Sequence, residues 1–226
     1  MGGPHIDALR ISPRFTSNDW YALEHHSQDD WAKAADMVKD RLDGRFLHYA
    51  GNCLRSPYSG FVVLAIDSLL LETLQQFREG ITNGHGKSRD MVTRFLEGQR
   101  FQPEFDQKAR NAYYSDIRCG LLHQAEAKRM WLIRRGQEAM LQPSPDGEGY
   151  VIDVRAFHKA VRGSMNDYLR ELRQPMSNKL RANLWTKMNH ICSVRSQRGA
   201  VYAVETGQSP DEAPNTSLHP TAFGGG

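Results

Sequence analysis

Phe61-Val62-Val63-Leu64-Ala65-Ile66-Asp67-Ser68-Leu69-Leu70-Leu71-Glu72-Thr73-Leu74-Gln75-Gln76-Phe77 is the most hydrophobic stretch of the chain. Phe61, Leu64, Ala65, Ile66, Leu69, Leu70, Leu71, Leu74 and Phe77 are apolar nearly all round a helix, and such a helix is a buried one. It reads as the central helix of a mainly α protein. Asp67 and Glu72 interrupt the run. A carboxylate so placed needs a partner or an exit to water, because burying it unpaired is costly. Either at least one of the two faces solvent, or one of them orients Arg118 from a neighbouring helix.

Toward the N-terminus, Ser56-Pro57 breaks the chain, and Arg45-Phe46-Leu47 carries a short apolar face. Gly44 interrupts an earlier helix whose stripe is Trp31, Ala34, Ala35, Val38 and Leu42, with Asp29 or Asp30 as its cap. Residues 1–28 read as a flexible segment. His25 and His26 adjoin Asp29 and Asp30, but adjacent histidines point different ways and no third ligand is in view, so they read as loop decoration.

Toward the C-terminus, Gly80 to Ser88 is a loop, followed by a short helix with Met91, Val92, Phe95 and Leu96. Gly84-His85-Gly86-Lys87-Ser88 lacks the first glycine of a phosphate loop and the strand before it. Gly98 and Pro103 mark a further break, with Pro103 suited to the first position of the next, long helix. That helix carries Tyr113-Tyr114-Ser115-Asp116-Ile117-Arg118-Cys119-Gly120-Leu121-Leu122-His123-Gln124-Ala125-Glu126, with an apolar stripe of Tyr114, Ile117, Leu121 and Ala125. His123 then lies about 200° around from Leu121, away from the core, and Arg118 is about 140° and about 7.5 Å from His123. Gly120 costs about 1 kcal/mol against alanine inside a helix, and the return is close approach of another backbone, such as a dimer partner.

After Lys128 the period changes. Met130-Trp131-Leu132-Ile133 and Tyr150-Val151-Ile152 are β-prone, with Pro143-Ser144-Pro145-Asp146-Gly147 as turn chemistry between them. A small β-hairpin or three-stranded flap over about 131–154 follows. Phe157, Val161, Met165, Tyr168 and Leu172 mark another helix, Pro175 ends it, and Leu180, Leu184, Met188 and Ile191 mark a last one. Residues 195–226 are rich in Ser, Gln, Pro and Gly and read as a disordered tail. One helical domain over 29–194 is the simplest division of 226 residues.

Charged residues are 24% and apolar residues 39% of the chain, and the net charge of +3 is too small to argue nucleic-acid binding by itself. The three cysteines, Cys53, Cys119 and Cys192, are odd in number and far apart, so neither a disulfide framework nor a zinc site is indicated. With no signal-like start and no run of about 18 apolar residues, a soluble, cytoplasmic protein without membrane association is expected. Charge is uneven, however. Residues 155–198 hold ten Lys and Arg against Asp167 and Glu171. With Lys128, Arg129, Arg134 and Arg135 they form either a phosphate-tracking surface or an ordinary solvated helix face.

Arg118-Cys119-Gly120-Leu121-Leu122-His123, on a long helix late in a bundle, together with an earlier apolar helix bearing Asp67 and Glu72, resembles the HEPN superfamily of small helical domains found in prokaryotic toxins and defence systems. The resemblance covers about residues 29–128. It implies a HEPN-like bundle with the β-hairpin inserted before the last two helices, and a symmetric homodimer. It also implies metal-independent ribonuclease activity with Arg118 and His123 as the catalytic pair. Asp67, Glu72, Asp116 and Glu126 are then supporting polar residues, and Lys128 and Arg129 contact RNA. The implied partners are RNA, tRNA among the candidates, and a cognate antitoxin if the protein is a toxin; no metal or cofactor is called for. Cys119 departs from the family's usual pattern, which has a polar residue, often Asn, Asp or His, directly after the arginine. The superfamily also includes non-catalytic members that bind nucleotide, RNA or protein, and that alternative stays open.

The chemistry open to the pair is definite. RNA supplies its own nucleophile, the 2′-hydroxyl, and the catalyst must move protons and hold charge on phosphorus. Histidine titrates near neutral pH and suits proton transfer. Arginine stays charged and grips phosphate through a planar fork. The expected products are a 2′,3′-cyclic phosphate and a 5′-hydroxyl.

Overall fold

The computed structural model describes residues 9–24, 27–129 and 131–193; His25, His26 and the expected tail over 195–226 lie outside them. The fold is mainly helical with one small sheet. Helix α1 spans Ser17–Tyr21, α2 Gln28–Leu42, α3 His48–Cys53, α4 Gly60–Glu79 and α5 Ser88–Phe95. Then come α6 Gln107–Ala112, α7 Cys119–Gln124, α8 Val154–Leu172 and α9 Asn178–Ser193. Strands β1 Leu132–Arg134, β2 Leu141–Pro143 and β3 Tyr150–Asp153 precede α8.

α4 is the centre, packed against α3, α5, α8, α9 and the motif helix. Val63, Leu64, Leu70, Leu71, Leu74 and Phe77 are fully buried, whereas Phe61, Val62 and Leu69 are exposed along its outer side. The helix is therefore apolar all round but covered on only part of its circumference. By length and composition it could cross a membrane, yet half of its apolar window is buried inside this fold, as a core helix requires. Its first residue, Gly60, leaves room for Ile133 of β1, whose Cγ2 would stand 2.6 Å from an added Cβ.

Several sequence expectations shift at the ends of elements. Residues 9–23 belong to the folded body rather than to a flexible segment: Ile11 and Trp20 are buried, and the Trp20 indole donates to Asn189 Oδ1 at 2.8 Å. Ser27, not Asp29 or Asp30, caps α2, accepting from the Asp30 amide. Gly44 does not interrupt the helix, which continues through a π turn at Asp43–Leu47 into α3, with Gly44 set against Pro13. Pro103 lies in a turn, and the next helix begins at Gln107, where Asp106 accepts from the Ala109 amide at 2.7 Å. A side-chain acceptor satisfies the open amides of a first turn, which proline cannot do.

The flap is three-stranded in the order β1-β3-β2, with β1 parallel and β2 antiparallel to β3. β3 runs straight into α8, whose cap is Asp153. An aromatic cluster of Phe101, Phe105, Tyr113 and Phe157, with ring centroids 5.1 to 5.9 Å apart, joins the motif helix to α8.

Candidate functional site

The motif sits on one continuous helix, α6 to α7, widened by a π stretch at Tyr113–Arg118. A wider turn moves later residues back around the axis. The inward set is accordingly Tyr113, Asp116, Ile117, Gly120 and Leu121; of the expected stripe Ile117 and Leu121 face inward, whereas Tyr114 is half-buried and Ala125 exposed. Ala125 instead takes a left-handed conformation that ends the helix, with φ 54°. Tyr113 is fully buried, its hydroxyl shares a 2.8 Å hydrogen bond with Ser68 of α4, and burial pushes its pKa up.

Tyr114, half-buried at the edge of the core, carries the guanidiniums. Arg89 of α5 lies 4.6 Å from its ring centroid and Arg118 lies 5.8 Å from it. Arg118 also donates from Nη2 to Glu72 Oε2 at 3.0 Å, and Ser88 Oγ donates to the same oxygen at 2.7 Å. Of the two acids on α4, Glu72 is thus the one that orients Arg118, and it is largely covered rather than solvent-facing. Arg118 Nε is buried and has no hydrogen-bond partner among the described residues. Ser88, from the loop dismissed as a phosphate binder, had no sequence signal linking it to this cluster.

Asp67 does something else. It is fully buried and meets His158 of α8, Oδ1 to Nδ1 2.9 Å, with burial raising its pKa against the opposing effect of the His158 bond. Asp67 Oδ2 and His158 Nε2 find no partner among the described residues. Neither acid faces water, so the solvent-facing reading fails for both. His158 was missed in the sequence, although it stands in the inward stripe Val154, Phe157, His158, Val161, Met165.

His123 is exposed on α7 and makes no hydrogen bond or ion pair with the described residues. Cys119, between the two motif residues, is a half-buried free thiol. Asp116 is buried and works away from Arg118, accepting from the Trp131 indole at 3.2 Å and Ser115 Oγ at 2.9 Å, with Arg129 3.6 Å away. It pins the flap to the motif helix. Glu126 is exposed and joins neither motif residue; its side chain accepts from the Ala127 amide.

Gly120 has the close approach expected of it, but to its own chain. After Ala125 the backbone folds back so that the Glu126 carbonyl oxygen lies against Gly120, and the Lys128 amide donates to the Asp116 carbonyl at 2.9 Å. A dimer partner is not what the glycine makes room for. Lys128 is half-buried with its stem beside Gly120, while Arg129 is exposed at the mouth of a cleft.

Of the basic surface over 155–198, Arg195 and Arg198 lie outside the described residues, and most of the others are committed elsewhere. Arg162 pairs with Asp43, Arg170 with Asp167 and Arg173 with Asp36. Arg181 and Lys187 are buried against Leu172 O and Gln76 Oε1. Arg155, Lys159 and Lys179 remain exposed without an ion pair among the described residues, so the described part of this stretch offers scattered cations rather than a track. Trp185 packs on Trp20 with ring centroids 5.4 Å apart. In comparisons with family models, curated proteins and solved structures, the chain finds no match in any of the three.

Proposed function

We propose that the chain is a metal-independent endoribonuclease of HEPN type in which Arg118 and His123 form the catalytic pair. The observation that carries this reading is how differently the two are held. Glu72 and the Tyr114 ring fix the Arg118 guanidinium, whereas His123 stands free and exposed farther along the same helix. A fixed cation followed by a free imidazole suits charge stabilisation and proton transfer in turn.

In the reaction, the 2′-oxygen attacks phosphorus as its proton passes to an imidazole. The bond from phosphorus to the 5′-oxygen breaks, and that oxygen takes a proton from a second imidazole. One chain carries one His123, so a two-fold dimer completes the set. Phe61, Val62 and Leu69 of α4 and Leu122 of α7 are exposed on helices that pack together, and apolar residues there favour a self-complementary contact. The toxin or defence role, and a cognate antitoxin, rest on the HEPN resemblance alone.

The Arg118–Glu72 ion pair also favours a second reading, in which Arg118 is purely structural and the fold is a non-catalytic module binding nucleotide, RNA or protein. Incubation with total tRNA in EDTA, followed by mapping of the cut ends, separates the two. The nuclease reading requires cyclic phosphate and 5′-hydroxyl ends at a rate the chelator leaves unchanged; intact tRNA, or loss of cleavage in EDTA, refutes it.

A further inference from the structure

A cleft of about 520 Å³ opens between the motif helix and the turn joining β2 to β3, within the size range of small-ligand sites. Arg89, Lys108, Asn111, Arg129 and Tyr150 line it, with Trp131 behind Tyr150 at a ring separation of 5.0 Å. Arg89 and Lys108 have no carboxylate within ion-pair distance among the described residues, and Arg129 reaches Asp116 only at 3.6 Å. Glu148, exposed in the turn, is the other acid of the lining.

A second cleft shows what a finished charge network looks like. There Arg78 is met by Glu171 at 2.8 Å, Arg94 by Glu79 at 2.8 Å, and Arg100 and Arg170 by Asp167 at 2.5 and 2.6 Å. Those guanidiniums have little left to offer an anion. The first cleft keeps unspent positive charge beside an aromatic ring, which is the pairing that single-stranded nucleic acid uses: cations for the phosphate and a ring for the base. It also joins the motif site, because Arg89 and Arg118 lie over the one Tyr114 ring.

We infer that this cleft binds a nucleotide of the RNA flanking the cut, its phosphate between Arg89, Lys108 and Arg129 and its base against Tyr150. The inference rests on RNA being the ligand of the proposed site, and not on turnover.

The test is fluorescence anisotropy with a labelled single-stranded RNA of about 12 nucleotides, using the full chain carrying His123→Ala so that the probe stays intact. Lys108→Ala with Arg129→Ala should weaken binding about tenfold and flatten the slope of log K against log salt by about 1.4, two phosphate contacts at about 0.7 each. Tyr150→Leu should weaken binding about fivefold or more with the salt slope kept. Glu148→Lys, on an exposed turn, should tighten binding several-fold, and so answers the question even where a loss variant fails to fold. Binding by all of these equal to that of the His123→Ala parent overturns the cleft assignment, and tRNA cleavage by the wild type would then leave the nuclease reading standing. Cleft-dependent binding without any cleavage would do the reverse. Absence of RNA binding by the parent removes the cleft assignment outright.

Discussion

Glu72 Oε2 accepts from two donors at once, Arg118 Nη2 at 3.0 Å and Ser88 Oγ at 2.7 Å. One carboxylate oxygen thus ties α4, the start of α5 and the motif helix together and sets where the Arg118 guanidinium points. Glu72→Gln keeps the shape and removes the charge. Misplacing a catalytic group by about 1 Å can cost about 10²-fold, so cleavage is expected to fall by about 10- to 100-fold. Hydrogen bonds to charged groups are worth about 1.5–3 kcal/mol; the partial exposure of this pair reduces that to about 1 kcal/mol. Cleavage rates and thermal melts on the same preparation check both, and an unchanged rate would show that Arg118's position is irrelevant to turnover.

Gly120→Ala separates propensity from packing. Helix propensity alone predicts a gain of about 1 kcal/mol. The Glu126 carbonyl oxygen and the Lys128 stem occupy the space a methyl group would need, and overpacking typically costs about 1–3 kcal/mol. The variant is expected to melt several degrees below wild type, and a higher melting temperature would show that the returning loop is not seated there.

Asp67 sets a pH dependence. Burial raises its folded-state pKa above the ordinary 3.8. A carboxyl raised on folding contributes stability below its unfolded pKa and loses that contribution as pH rises through the folded value. Asp67→Asn cannot ionise, so its melting temperature should gain on that of wild type as pH rises from about 4 toward neutrality. The opposite trend would mean that Asp67 and His158 are held as an ion pair.

The central helix, the flap and the last two helices were legible because apolar period and turn chemistry act locally, as in Phe61 to Phe77 and Pro143 to Gly147. Two things were not. The π stretch at Tyr113–Arg118 has no residue signature of its own, so Tyr114 was placed inward where Tyr113 is, although Ile117 and Leu121 lie where the stripe puts them. The division of labour between Asp67 and Glu72 depended on which helices meet α4. His158 on α8 and Ser88 at the start of α5 decide it. The Arg118–Glu72 pairing was among the readings available from the sequence because it needs only two residues on neighbouring helices.

The most direct measurement is the single-turnover cleavage rate of tRNA in EDTA by wild type and by His123→Ala, with the ends mapped. Removal of a placed acid or base costs about 10²–10⁴-fold, so wild type should leave cyclic phosphate ends while the variant, melting at the wild-type temperature, falls by that factor. Equal rates, or equal absence of cleavage, would contradict a catalytic His123.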